Sequence, residues 1–598
     1  MCGIHLIIQK SEEAVDGHDA IQRMIQSLGH RGPDGFSHLH LDWGMEQIWL
    51  GHNLLAISDT ASKARQPMVS ADGKCGVLFN GQIYNHNELK LLLEAENVEF
   101  QTGSDTEVLL HWLRCKGRKG LRQLTGMFAF VFWNSEKQLL LIHRDGYGIK
   151  PLYYARNRQY FVVSSEPKGI LASELFKFSP DYPSLGYYLK YKFIPDPQSP
   201  WLGIKALQPG EAVEYWESKP MHYRVQAELP SVEKRTIQEV INIGFQDVIP
   251  KNEPVGLMVS GGIDSSLIWH WCIENGVDVI PFSIRFPGLP VHPKSDQRAV
   301  EHLALQFKRE VHWVDIENDA IIEIANFVKK DSALVADSAW YLTDRIAKRA
   351  SEMGIRVLLS GAGADEWFGG YRRHWYFHQW QRFDDLVPDK WQFQILKKVL
   401  DETLEWQGER NFLPQTIWDV AVALPLGQKM KIQLVLPIQA QSKELSYLAN
   451  AFLWDQKQYL VNDILNITDL GTMAHGVEGR FPFLHPAITG FAESFLPEHH
   501  LKNGRKWMLR ELVEAFAGKT FVNRKKQGLG LPMEYLFESQ PGKEWMDGFL
   551  NRKSHLFERW FSPEVLSQLQ RKAEKRPAFW AQQVFAICWL GEWLERNG

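Results

Sequence analysis

Over the first two hundred residues short apolar runs recur between polar turns, at residues 4–8, 48–50, 76–79, 128–133, 139–143 and 160–164. Runs of this length, bounded by turn formers, predict strands. Between them, residues 87–94 and 105–114 place apolar positions at the three- and four-residue spacing of helices. The mixture predicts an α/β sandwich. Prolines at Pro195, Pro197 and Pro200 and a polar stretch at 231–234 put the end of this first domain between about 205 and 230. The expected domains are therefore 2–215 and 225–598. Beyond the boundary, strands at 255–259, 279–284, 310–314 and 357–359 alternate with helical segments, as a parallel sheet requires. After residue 375 the pattern turns helical and rich in tryptophan, and no internal repeat interrupts it.

The strand at 255–259 runs into Ser260-Gly261-Gly262-Ile263-Asp264-Ser265-Ser266. Adjacent glycines let backbone N–H groups approach an anion, serine hydroxyls add donors, and a helix N-terminus favours negative charge. The stretch reads as a phosphate cradle formed by Ser260, Gly261, Gly262, Ser265 and Ser266. The lysine that grips a γ-phosphate in other glycine-rich loops is missing here. Asp264 stands within the loop, and a carboxylate among phosphates implies a cation between them, for which Mg2+ is the expected choice. The run resembles the pyrophosphate loop of the N-type ATP pyrophosphatases, which implies cleavage of ATP to AMP and pyrophosphate.

Composition narrows the class. At 598 residues the chain exceeds what one core accommodates, and 44% hydrophobic with 23% charged residues is the ordinary globular balance. A formal net charge of -4 removes the electrostatic case for nucleic acid. The sequence has no apolar run of the roughly 18 residues a membrane span needs and no basic-then-apolar leader. A cytoplasmic location without a membrane partner is expected. Of the cysteines Cys2, Cys75, Cys115, Cys272 and Cys588, no two make a close pair or a zinc spacing.

Cys2 stands apart. Removal of Met1 exposes an N-terminal cysteine, whose thiol is a nucleophile and whose α-amine, titrating near about 8, is a base. Downstream, in order, come His30-Arg31-Gly32-Pro33-Asp34, Gln66-Pro67, Asn80-Gly81-Gln82-Ile83-Tyr84-Asn85, Gly103-Ser104-Asp105, Gly126-Met127-Phe128-Ala129-Phe130 and Arg144-Asp145. Each is a polar turn suited to lining one pocket. With Cys2 they resemble the class II glutamine amidotransferases of Ntn type, which release ammonia from glutamine through a thioester. The resemblance implies an α/β/β/α sandwich, Cys2 as nucleophile, Asn80 and Gly81 as oxyanion hole, and Asp105 on the donor's amino group. Gln82 and Leu54 fall in the same donor pocket.

A second turn, Ser360-Gly361-Ala362-Gly363-Ala364-Asp365-Glu366, follows the strand at 357–359, at the end where open α/β sheets take ligands. Asp365 and Asp264 are expected to share Mg2+. Phe368-Gly369-Gly370-Tyr371, a run at 473–484 containing Met473, Glu478 and Arg480, Lys506-Trp507-Met508-Leu509-Arg510, and a run at 524–532 follow. Charge pattern alone makes Lys506 a solvated helix position. The order of both domains and both turns, over nearly the whole chain, resembles the glutamine-hydrolysing asparagine synthetases. That resemblance implies that ATP adenylates a carboxylate, aspartate in the family, and that ammonia passes internally from the first site to displace AMP. It also implies that Lys506 neutralises phosphate charge, that Ser360 and Gly361 join the ATP cradle, and that Ser283 lies beside the adenine. Partners are then ATP, glutamine or ammonia, and a carboxylic acid or a peptide, with a homodimer as the expected assembly.

Departures from the family pattern gather at positions expected in the pockets. Leu54 stands for an arginine that grips the glutamine carboxylate, Gln82 for a glutamate, and Ala362 for a glutamate near the acyl group. Ile467 and Leu470 stand for a lysine and an arginine, and His485 for an aspartate. They open a second reading, in which another carboxylate is adenylated for amide formation or cyclisation, as in β-lactam synthetases and lasso-peptide cyclases, with weak or absent glutaminase activity.

Overall fold

The computed structural model describes residues 2–10, 17–57, 65–228, 235–251, 253–287, 295–317, 320–328, 332–384, 446–524, 530–575 and 577–598. The polar stretch at 231–234, residues 385–445 of the tryptophan-rich region and residues 525–529 lie outside them.

The first half carries β1 (Gly3–Lys10), β2 (Gly35–Asp42), β3 (Glu46–Leu54), β4 (Met68–Val69), β5 (Cys75–Ile83), β6 (Gly126–Asn134), β7 (Leu139–Arg144), β8 (Tyr153–Arg156), β9 (Tyr160–Ser164), β10 (Ile204–Ala206), β11 (Glu211–Trp216) and β12 (Lys219–Arg224). They form two antiparallel sheets, ordered β10-β8-β9-β1-β3-β2 and β12-β11-β7-β6-β5-β4. Alternation along β1 sets the layers, because successive side chains leave opposite faces of a strand. Ile4, Leu6 and Ile8 join Leu50, Leu78, Val131 and Trp133 in the core between the sheets. Ile7 points the other way, into Ala20, Ile21 and Met24 of helix Gly17–Ser27. Beyond the second sheet, Phe79, Phe130 and Phe132 pack on Leu89, Leu93 and Leu109 of helices His86–Ala95 and Asp105–Lys116. This is the expected α/β/β/α sandwich. β12 carries the second sheet to Arg224, past the residue-215 edge.

In the second half β13 (Val255–Met258), β14 (Val279–Arg285), β15 (His312–Asp315), β16 (Val357–Leu359) and β17 (Glu478–Arg480) form a parallel sheet ordered β15-β14-β13-β16-β17. The chain steps outward from β13 in both directions, so β13 and β16 flank the switch point where α/β sheets open a crevice. Helix Ile237–Val248 begins with a capping box, Thr236 accepting from the Glu239 N–H and Glu239 from the Thr236 N–H. From Ser446 onward the described chain is mainly helical, ending in helix Pro577–Asn597.

The two halves share their interiors. Tyr84, Met127 and Ile149 of the first belong to the same buried cluster as Phe245, Phe483 and Leu484 of the second. Trp201 lies against Trp593 with ring centroids 5.1 Å apart, and the Tyr188 hydroxyl donates to the Ala586 carbonyl at 2.7 Å.

Candidate active sites

Cys2 leads into β1, between β3 and β9, and is 6% exposed. Its backbone N–H donates to Asn80 Oδ1 at 2.9 Å, a bond that crosses from the first sheet to β5 in the second. Asn80 is fully buried, and its Nδ2 has no hydrogen-bond partner among the described residues. Gly81 follows at φ 146°, where an added Cβ would lie 2.0 Å from the Met127 carbonyl oxygen, so only glycine fits. Burial pushes the Cys2 thiol up, opposed by positive charge at the chain's N-terminus and by the Leu55 backbone N–H. The arrangement brings together a thiol, a backbone nitrogen and an unsatisfied amide donor.

Asp105 opens helix Asp105–Lys116, whose N-cap Ser104 accepts from the Glu107 N–H. Its Oδ2 accepts from the Ile83 N–H at 2.9 Å, which ties it to the Asn80 strand, and burial pushes its carboxyl up. Gln82, beside it, has a buried Oε1 without a partner among the described residues. Leu54 ends β3 one residue past the Asn53–Gly3 pair, and is 7% exposed. An apolar side chain therefore borders the thiol's strand where the resemblance implies an arginine.

The sequence places Arg31 in a pocket-lining turn but shows nothing of the charge pairing around it. Arg31 is fully buried, and its Nη1 donates to Glu166 at 2.7 Å and to Asp469, from the second half, at 2.8 Å. Glu478 on β17 accepts from Arg480 Nε at 2.6 Å. Burial works against its charge, but Arg480 and the N-terminal positive charge hold the carboxyl down to about 2. Lys150, fully buried, has an Nζ without a hydrogen-bond partner among the described residues, and burial lowers its pKa. The missed signal was charge inside segments that are otherwise apolar or glycine-rich.

In the second half two glycine turns meet at the ends of the adjacent strands β13 and β16. An added Cβ on Gly361 would lie 2.8 Å from Asp264 Cβ, and Gly261 adopts φ 69° with the Asp296 carbonyl 2.7 Å from such a Cβ. Asp264 sits in the first turn of helix Ile263–Glu274. Ser260 and Ser265 face each other, the Ser260 N–H donating to Ser265 Oγ at 3.3 Å. Ser266 Oγ donates to the Gly262 carbonyl at 2.7 Å, back into its own helix. The Ser360 N–H donates to the Arg480 carbonyl and Ser360 Oγ accepts from the Ala362 N–H. Ser283, on β14, donates to the Val259 carbonyl at 2.7 Å.

Lys506 is 6% exposed and precedes helix Trp507–Ala517 in the left-handed region at φ 53°, so it is not the solvated position its charge pattern suggested. Its Nζ lies 2.7 and 2.6 Å from the two oxygens of Asp264 and 2.6 Å from Asp365 Oδ1. Gly370 makes room for this cluster: a Cβ there would stand 1.7 Å from Asp365 Oδ1 and 2.2 Å from Lys506 Cε. Two carboxylates converging on one cationic point are a hard oxygen donor set, which suits Mg2+.

Four of the departures make scaffold contacts. His485 Nδ1 accepts from the Ala487 N–H at 3.2 Å, capping helix Pro486–Glu493 as an aspartate does. Ile467 is buried in the large shared core, with Leu470 packed against it. Ala362 packs against the second core cluster.

A glutamine amidotransferase domain family matches residues 1–224 and the asparagine synthase family matches residues 248–595. The chain is 27% identical to asparagine synthetase (glutamine-hydrolyzing) 1 of Bacillus subtilis strain 168, over 98% of this chain and 96% of that protein. It is 28% identical to asparagine synthetase B (glutamine-hydrolyzing) of Escherichia coli K12, over 74% of this chain and 76% of that protein. The chain belongs to the asparagine synthase family, with a glutamine amidotransferase domain at its amino-terminal end.

Proposed function

We propose that the protein is an ATP-dependent amide-forming ligase. It adenylates a carboxylate, aspartate by family, releases pyrophosphate, and joins the acyl group to ammonia released from glutamine at Cys2. The observation that carries this reading is the Asp264–Lys506–Asp365 cluster at the meeting point of two glycine turns.

In the first domain, residues 2–224 on this reading, the mature chain begins at Cys2, so the nitrogen facing Asn80 Oδ1 is a free amine. That amine takes the thiol proton, and Sγ attacks the donor's carboxamide carbon. Asn80 Nδ2 and the Gly81 N–H receive the oxyanion as it forms, which is where fixed donors act most strongly. The amine returns that proton to the leaving nitrogen, which departs as ammonia with the C–N bond pair; water hydrolyses the thioester, and Asp105 holds the donor's ammonium throughout.

In the second domain Ser260, Gly261, Gly262, Ser265, Ser266, Ser360 and Gly361 cradle the phosphates, and Ser283 with the β14 backbone faces the adenine. Asp264 and Asp365 would hold Mg2+, which when bound neutralises the departing pyrophosphate. Lys506 offsets phosphate charge beside them. The acceptor's carboxylate oxygen attacks the α-phosphorus and pyrophosphate leaves. Ammonia then attacks the acyl carbon, and AMP departs with the C–O bond pair.

The test is product analysis with ATP–pyrophosphate exchange across a panel of carboxylic acids. AMP and pyrophosphate are expected, with aspartate supporting exchange, whereas ADP and phosphate would overturn the assignment. Buried Leu54 beside Cys2, and Ala362 in the second turn, favour one alternative, adenylation of another carboxylate with weak glutaminase activity. Exchange supported by an acid other than aspartate would select it.

A further inference from the structure

Helix Asn466–Met473 belongs to the synthetase half, yet two of its side chains reach the frame of Cys2. Asp469 and Met473 stand four residues apart, on one face of the helix. Met473 is fully buried and packs on Leu55 in a small cluster of their own, and the Leu55 backbone N–H favours the Cys2 thiolate against the effect of burial. Gly476, just past the helix, lies against the same frame, where a Cβ would stand 3.0 Å from Pro33 Cγ and 3.7 Å from Leu55 Cδ1. One turn earlier, Asp469 Oδ2 accepts from Arg31 Nη1 at 2.8 Å, and Arg31 Nε donates to the Cys2 carbonyl at 3.5 Å. The helix has little slack behind it. A Cβ on Gly471 would lie 3.1 Å from Thr343 Cγ2 and 3.2 Å from the Asp344 nitrogen, on helix Ser338–Glu352.

We propose that Met473 and Asp469 are positioning residues for the glutaminase reaction, holding Leu55 and Arg31 from the synthetase half and, through them, the thiol and carbonyl of Cys2. This rests on the reading of Cys2 as the nucleophile. The physical basis is leverage. Shortening Met473 lets Leu55 settle into the space left and draws its N–H away from sulfur, while the donor pocket around Asp105 and Gln82 keeps its own contacts. Attack should slow with donor binding preserved.

The full-length protein is used for the test. Three quantities are followed: steady-state glutaminase kinetics, ATP–pyrophosphate exchange, and the pH dependence of iodoacetamide alkylation read at Cys2 by peptide mass spectrometry. Met473→Ala is expected to lower glutaminase kcat by about ten- to a hundredfold while KM for glutamine changes by less than about twofold. Alkylation should move to higher pH as the thiolate loses a donor, exchange should stay unchanged, and Met473→Leu should restore kcat. A wild-type kcat and alkylation profile in Met473→Ala overturns the proposal. So does a parallel fall of glutaminase and exchange in folded protein, because that marks a general structural role. Should Met473→Ala fail to fold, Asp469→Asn keeps the side chain's shape and decides: lowered kcat with unchanged exchange supports the proposal, and wild-type kcat overturns it. Wild-type protein without glutaminase activity, indistinguishable from Cys2→Ala, would remove the reading of the first domain and this inference with it.

Discussion

Gly370 is the residue at which sterics and chemistry meet most closely. A methyl group there would overlap Asp365 Oδ1 and Lys506 Cε, both parts of the cluster proposed to activate ATP. Gly370→Ala should therefore abolish ATP–pyrophosphate exchange while glutaminase activity persists; exchange within about threefold of wild type would mean the cluster tolerates displacement, contrary to the precision catalytic groups need. Leu54 and Gln82 pose the opposite question, since on the proposed reading each removes a charge expected at its position. A charge-assisted hydrogen bond contributes about 1.5 to 3 kcal/mol, so Leu54→Arg with Gln82→Glu should lower KM for glutamine by roughly ten- to a hundredfold. Steady-state kinetics decide, and an unchanged or higher KM would show that the wild-type pocket holds the donor by other contacts.

Among the elements, β17 is one that the hydrophobic pattern does not announce. Its residues Glu478, Gly479 and Arg480 are all buried, yet none is apolar, so no hydrophobic run announces a strand. Tertiary context makes it one: β16 offers a parallel edge, and the Glu478–Arg480 bond pairs the charges internally. By contrast the strand at 357–359 and that at 160–164 have the bounds their patterns predicted, because each is a short apolar run bounded by polar or glycine-containing segments. β2 was missed for another reason: its outward positions include His38 and His40, and its inward ones are only half buried. The site was legible where glycines and small polar residues mark turns, as at Ser260 and Ser360, and illegible where a residue acts across the domain junction, as Asp469 does. β17 also carries a pH prediction. Glu478 has its carboxyl held at about 2 against an ordinary value of 4.5, so its stabilisation is full above that ordinary value and is lost as pH falls toward about 2. Glu478→Gln strands a buried guanidinium and should cost about 3 to 5 kcal/mol near neutrality. The difference in melting temperature should narrow as pH drops below the ordinary value. A difference constant from neutrality down to about pH 3 would exclude the ion pair as its source.

For the whole molecule the decisive feature is that the halves do not meet through a thin polar surface. One buried cluster runs from Ile7 and Tyr188 in the sandwich to Phe585, Trp589 and Trp593 in the last helix, and another joins Tyr84 and Met127 to Phe483 and Ile488. Ion pairs Arg31–Asp469 and Arg356–Asp34 cross the same junction at 2.8 and 3.1 Å. Domains that touch through modest polar interfaces move and melt independently, whereas a shared apolar core couples them. Calorimetry should accordingly give one endotherm, with calorimetric and van't Hoff enthalpies in agreement. Coupling has a further consequence for ligands. On the proposed function, ATP with Mg2+ would bind only the folded synthetase half, and at about a hundred times its Kd would contribute about 2.7 kcal/mol. If the halves unfold together, that contribution should protect the other half too, so ATP with Mg2+ should raise the temperature at which glutaminase activity is lost by the same increment as the calorimetric transition. Two resolved endotherms, with glutaminase loss indifferent to ATP, would instead describe two domains that share a chain and nothing more.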